Sequence, residues 1–211
     1  MTRTRFRDRG VVLALTGVLA LSVAPATVSA QAPAIETVDV TGAEALGLDG
    51  APATLVIFAD LGGTSAAGLG VILRGLVERY PQTLKVYFRH APAADQPEHT
   101  LAHLAVLAAG EQGKFWEMLD LLLANQSRHG REHLLSMAAQ LELDVARFSE
   151  AIDNASGEPR LTSDRQQATL LRVAASPTFF VNGVRLPGRK TLVELTAQID
   201  AAIAASPSAW R

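Results

Sequence analysis

A chain of 211 residues that is 48% hydrophobic and 19% charged is composed for a folded domain and not for a disordered segment. Its 19 cations and 21 acids leave a net charge of −2, and the body of the chain has no Lys/Arg-rich run, so nucleic acid and anionic membrane are excluded as natural partners. There is no cysteine, which excludes a thiol nucleophile, a disulfide, iron–sulfur ligation and any Cys-type zinc site.

The amino terminus reads as a secretory signal over residues 1–30. MTRTRFRDRG sets Arg3, Arg5, Arg7 and Arg9 against Asp8. VVLALTGVLALSVA follows, apolar but shorter than the ~20 residues a spanning helix needs. Val28 and Ala30 supply the small residues of a cleavage site after Ala30. The mature protein is therefore expected to be exported to the periplasm or cell envelope, with no membrane anchor. Its remaining 15 cations and 20 acids give a net charge of −5.

Residues 31–52 are rich in Ala, Gly and Pro and read as a leader with one short strand at 35–40. ATLVIFAD, residues 53–60, is a continuous apolar run bounded by turn residues, the pattern of a buried strand. The turn LGGTSAAG leads into a helix whose apolar positions are Leu69, Ile72, Leu73, Leu76 and Tyr80, stopped by Pro81. LKVYFRH, residues 84–90, is a second strand. Helical segments are predicted at 99–111, 114–125, 131–141, 144–153 and 159–173. TFFVN, residues 178–182, is a third strand, and Asn182-Gly183 signals a type I′ hairpin into a fourth at 184–186. A last amphipathic helix begins at Thr191 and runs through Leu192, Leu195, Ile199 and Ile203.

The crossover helix between the first two strands is long enough for parallel pairing, and the last two strands are antiparallel. The predicted fold is α/β and thioredoxin-like, a mixed sheet flanked by helices. It occupies residues 53–205, with an inserted helical domain over about 95–173.

The pieces LVIFADLGG, LVERYP, LKVYFRHAP, GEQGKFWEMLDLLLANQ, LDVARF and ASPTFFVNG occur in that order. Together they resemble the DsbA-like thiol–disulfide oxidoreductases of the thioredoxin superfamily, over about residues 53–200. The resemblance implies a Cys-x-x-Cys pair where this chain has Gly63 and Ala66, with Thr64 and Ser65 between them. It also implies a cis-proline at Pro177, whose preceding residue, Ser176, would pair its backbone with an extended substrate peptide. Thiol–disulfide exchange requires a thiolate, and neither a glycine nor a methyl group can form a mixed disulfide. The chain thus resembles a thiol enzyme whose thiols are absent.

Other candidates carry blander expectations. Thr64 and Ser65 are expected to cap the helix that follows, ahead of any role as an anion site or nucleophile. Asp60 is expected at the turn as a cap or exposed to solvent, with a carboxyl raised by desolvation if it is buried. His99/His103 and His129/His133 are spaced four apart as in helical zinc sites, but neither pair has the His-Glu-x-x-His pattern, so exposed helix positions are expected and no metal. His90 is expected to be structural, and Phe115, Trp116, Met118, Leu119 and Leu122 to form a core stripe.

The expected function is redox-inactive binding of extended or unfolded polypeptide, or of a dedicated protein partner. Thr64, Ser65, Ser176 and Pro177 would form the binding site, and no cofactor is expected. Two alternatives stand beside it: an enzyme that uses glutathione or another small thiol through the same turn, and a structural subunit of an envelope complex.

Overall fold

A computed structural model describes residues 34–93, 96–126 and 129–206, without the side chain of Ser65. The expected signal segment, residues 1–30, lies outside the described residues. Five strands form one mixed sheet in the order β1-β3-β2-β4-β5. They are β1 (Glu44–Gly47), β2 (Ala53–Ala59), β3 (Leu84–His90), β4 (Thr178–Val181) and β5 (Val184–Pro187). β2 pairs parallel to β3, from Ala53 opposite Leu84 to Ala59 opposite His90. β1 on β3, β4 on β2 and β5 on β4 are antiparallel.

The central strand β2 is buried on both faces, as its unbroken apolar run requires. Its alternation divides the core. Leu55, Ile57 and Ala59 face the larger cluster, which also holds Leu73 and Leu76 of α1 (Leu69–Arg79) and Leu195 and Ile199 of α7 (Leu192–Ala205). Val56 and Phe58 face the opposite side, where they meet Phe180, Val38, Val40, Ala168 and Leu171. Gly75 in α1 lets the two helices approach, because a Cβ there would lie 3.1 Å from Leu192 Cδ2. Thr191 caps α7 with a full capping box to Glu194.

Between β3 and β4 lie five helices: α2 (Pro97–Gly110), α3 (Phe115–Ala124), α4 (Arg131–Gln140), α5 (Val145–Asp153) and α6 (Glu158–Leu170). Phe115, Met118, Leu119 and Leu122 of α3 are buried, and the half-buried Trp116 donates its indole N–H to Ala45 O at 3.2 Å. Two expectations need correction. The strand predicted at 35–40 is reduced to a single bridge from Ile35 to Val184. The first real strand, EALG of β1, falls later in the supposed leader, where Ala and Glu give no β signal.

α6 is mostly polar and buries only Leu161 and Asp164. Asp164 is fully buried and binds three groups at once. Arg89 Nη1 donates to Oδ1 at 2.6 Å, Arg160 Nε lies 2.9 Å from the same oxygen, and the backbone N–H of His90 donates to Oδ2 at 2.8 Å. Arg89 is 1% exposed and also donates through Nη2 to Asp39 O and to Thr41 O. One carboxylate thus joins the helical block, the end of β3 and the leader. Asp164→Ala leaves Arg89 buried without its counter-charge and is expected to destabilise the fold by about 3–5 kcal/mol, read from urea unfolding. A loss below about 1 kcal/mol would contradict this account.

Candidate functional site

β2 ends in Asp60, and the chain then turns through Gly62 and Gly63 into a single 3-10 turn, Thr64–Ala66. α1 does not begin there. Its N-cap is Gly68 in the left-handed region at φ 79°, and its first residue is Leu69. The expected capping by Thr64 and Ser65 is overturned: Gly63 and Gly68 occupy the cap positions, and neither helix start has a side-chain cap. Gly63 and Ala66, the positions at which the resemblance implies cysteines, lie in different environments: Gly63 is half-buried and Ala66 is fully buried, with Thr64 exposed between them. Of Ser65 only the backbone is described.

The Ser176–Pro177 peptide is cis, as the resemblance implied. Ser176 Oγ accepts the backbone N–H of Asp60 at 2.8 Å, which ties the proline loop directly to the turn. Thr178 Oγ1 donates to Ala175 O at 2.6 Å and closes that loop. The structure therefore brings the turn and Ser176-Pro177 together. Beside Pro177 lies a shallow depression lined by Ala67, Leu69, Ile72, Phe179, Arg189 and Lys190. Its volume of about 20 Å³ has room for about one water, so it is a surface and not a side-chain pocket.

Under the turn is a polar cluster that the sequence did not suggest. Asp60 is 7% exposed, not at the surface. Its Oδ2 lies 2.7 Å from His99 Nδ1 and accepts Ala93 N–H at 3.3 Å, while Oδ1 accepts Gly62 N–H at 3.1 Å. Gly62 is required here, because a Cβ would overlap His99 Cγ, Cδ2 and Cα. His103 is fully buried. Its Nε2 accepts the Leu61 N–H at 3.0 Å, so its Nδ1 carries the proton and donates to His90 Nδ1 at 2.7 Å. His90 is boxed by Phe88 and Phe115, with ring centroids at 5.2 and 5.9 Å.

The expected solvent-exposed histidine face is thus reversed for His99 and His103, which grip the turn from α2. His129 is also buried and sits 3.3 Å from Leu122 O through Nε2, whereas His133 is exposed. Among the described residues no group of three His or acidic side chains is arranged to hold a metal ion. The helical spacing of His99 and His103 was the one available signal. It gave the shared face and not its direction, because a helix of alanines and leucines on nearly every side leaves the polar face ambiguous.

Burial opposes the charge on Asp60, but the nearby His103 ring, the His99 ring at 2.7 Å and the Gly62 N–H outweigh it and lower the carboxyl from 3.8 to about 2. The expectation that burial would raise it is corrected by these donors. Burial lowers His103 below its ordinary 6.5 despite Asp60, and lowers His90 well below it, helped by His103, Arg160 and Arg89. Both imidazoles are neutral in the fold.

With this geometry in place, the comparisons are direct. A family described as Thioredoxin matches residues 40–201. The chain belongs to this thioredoxin family and has no cysteine. Among solved structures it is similar to BdbD from Bacillus subtilis, with a TM-score of 0.71 and 18% identity over 82% of this chain and 98% of that one. A thioredoxin-like oxidoreductase from Silicibacter pomeroyi gives a TM-score of 0.68 and 24% identity over 78% and 94% of the two chains. Among curated relatives it is 38% identical to Na(+)/H(+) antiporter NhaA 3 of Salinispora tropica and 34% identical to Na(+)/H(+) antiporter NhaA of Herminiimonas arsenicoxydans, over 74% of this chain in each case. It spans about a quarter of the length of those relatives, 24% and 25%. Among the described residues no helix is long and apolar enough to cross a membrane.

The titrations give stability a defined pH dependence. His90 and His103 bind protons in the unfolded chain near 6.5 but resist them in the fold, so their contribution is complete above about 6.5 and declines as pH falls below it. Asp60 adds a second loss as pH falls from 3.8 towards about 2. Unfolding free energy is expected to be flat from pH 8 to 7 and to fall on acidification below about 6.5. His103→Gln should flatten the upper part of that decline. An unchanged pH profile in the variant would contradict the assignment.

Proposed function

We propose that this protein is an exported, redox-inactive member of its family that binds extended or unfolded polypeptide. The binding face is the turn Gly62–Ala67 together with Ser176 and Pro177. One observation carries the reading: the side chain of Ser176 holds the backbone of Asp60, so the proline half of the site stays in register with the turn although Gly63 and Ala66 have replaced the reactive half. An extended segment laid along this face gains main-chain hydrogen bonds of the strand-addition kind, which need no deep pocket. That suits a depression with room for only about one water. Without cysteine the chain forms no mixed disulfide, so binding is reversible and independent of the client's redox state. Thr64 is exposed at the rim of the turn and contributes a hydroxyl, and Ser65 is its neighbour.

A second reading rests on the curated relatives. They carry the matching segment inside proteins named as sodium/proton antiporters, in which it makes up about a quarter of the length. A dedicated partner of this chain would then be an integral-membrane ion antiporter.

The first reading is tested with reduced, unfolded client proteins added to the mature chain. Suppressed aggregation is expected, with no turnover of insulin disulfides. Ala67→Trp fills the depression from an exposed position and should weaken client binding at least tenfold. Equal binding by the variant, or disulfide turnover by the parent chain, would overturn it. The second reading is tested by deleting the matching quarter from the Salinispora tropica antiporter in vesicles and supplying this chain separately. Recovery of sodium/proton exchange is expected, and no recovery with no co-purification would dismiss it.

A further inference from the structure

The depression beside Pro177 is bordered by two cations that, unlike several other surface arginines, face no carboxylate among the described residues. Arg74, Arg131 and Arg147 each lie near a carboxylate, at 2.9, 2.6 and 3.9 Å. Arg189 and Lys190, adjacent in sequence, have no carboxylate within ion-pair distance among the described residues. Arg189 donates to Ala67 O at 3.2 Å, and Lys190 donates to Pro187 O at 2.7 Å. The acid that feels the Lys190 charge is Glu194, whose carboxylate is already committed to the backbone and hydroxyl of Thr191.

Around these cations the surface is apolar. Val71 is 65% exposed, Val193 78% and Leu192 37%. Leu192 lies over Gly75 of α1, and Val71 stands one turn earlier on the same helix face. Ile72 lines the depression and the exposed Val71 precedes it on α1, while the exposed Leu192 and Val193 open α7 two and three residues after Lys190, so exposed apolar side chains lie close to both cations. Two unpaired cations beside an apolar strip, on a body of net charge −5, form a local positive spot in an acidic protein. At physiological ionic strength the Debye length is about 8 Å, so an approaching segment responds to this spot and not to the net charge.

We propose that this face selects acid-bearing polypeptide: an extended segment whose apolar side chains lie on Val71, Leu192 and Val193 while its carboxylates meet Arg189 and Lys190. The inference rests on the peptide-binding reading above and names the class of segment that the same face takes. The cations supply selectivity and the apolar strip most of the affinity, as expected for charges that remain partly solvated.

The probes are three labelled ten-residue peptides with one Leu/Val core flanked by Glu, Gln or Lys, measured by fluorescence anisotropy at low and high salt. The Glu peptide should bind about tenfold tighter than the Lys peptide, with Gln between, and high salt should narrow the spread. Arg189→Glu combined with Lys190→Glu should invert the order while leaving the urea midpoint unchanged. Equal binding of all three peptides would overturn the inference and leave polypeptide binding standing. Absence of binding by any of them would overturn both.

Discussion

The carboxylate of Asp164 is the constraint on which the rest of the structure depends. It is a buried charge on a helix that has almost no apolar face of its own. An unpaired carboxylate in that position would cost several kcal/mol, and the fold meets the cost with two guanidinium groups and a backbone N–H. The geometry is directional in a way that apolar packing is not. Arg89 must lie at the end of β3, Arg160 one turn before Asp164, and the carbonyls of Asp39 and Thr41 must close over the second arm of Arg89. The helical block is thereby fixed in one orientation on the sheet.

From this clamp the order passes to the turn through a continuous set of hydrogen bonds. Asp164 holds the backbone of His90. The His90 ring accepts from His103, His103 accepts from Leu61, and Asp60 beside it engages His99 and its own loop. Asp164–His90 and His90–His103 tie the inserted block to the end of β3, and His103–Leu61 and His99–Asp60 carry that tie to the turn after β2. The polar groups are buried, so each needs its partner, and the chain of partners has few alternatives. A turn with two glycines would otherwise be a floppy place on which to build a binding face. Here it is pinned from below by α2 and from the side by Ser176.

The sequence made the sheet legible because its strands are continuous apolar runs between turn residues, as in ATLVIFAD and TFFVN. The hairpin was legible because Asn182-Gly183 takes positive φ at both positions, which few residue pairs do. β1 was not legible, since Glu44 and Ala45 are poor strand formers that pair with β3 because β3 offers an open edge. The candidate site was half legible. Ser176-Pro177 and the glycine-rich turn can be found by resemblance, but the Asp60–His99 and His90–His103 contacts lie 39 and 13 residues apart in the chain and have no local signature. Asp164 shows the general difficulty. In SDRQQATL it reads as one more solvated charge, and only its tertiary partners make it a core residue.

The missing thiols acquire a structural context from the start of α1. A helix N-terminus stabilises a nearby anion through its unpaired N–H groups, and the effect fades within the first turn. In this chain the helix begins at Leu69, beyond a left-handed Gly68, so Gly63 lies outside that first turn. The turn has lost the sulfur atoms and also the electrostatic device that lowers a thiol's pKa. What remains is backbone geometry: a buried Asp60 held ionised by imidazole and amide donors, a serine on its N–H, and a proline loop closed by Thr178. None of these groups needs a thiol to be useful. Together they hold an exposed, nearly flat face rigid, and a rigid face costs a bound segment less ordering than a flexible one. The polar network beneath the turn thus accounts for the rigidity that the proposed binding of extended polypeptide requires, with no thiol involved.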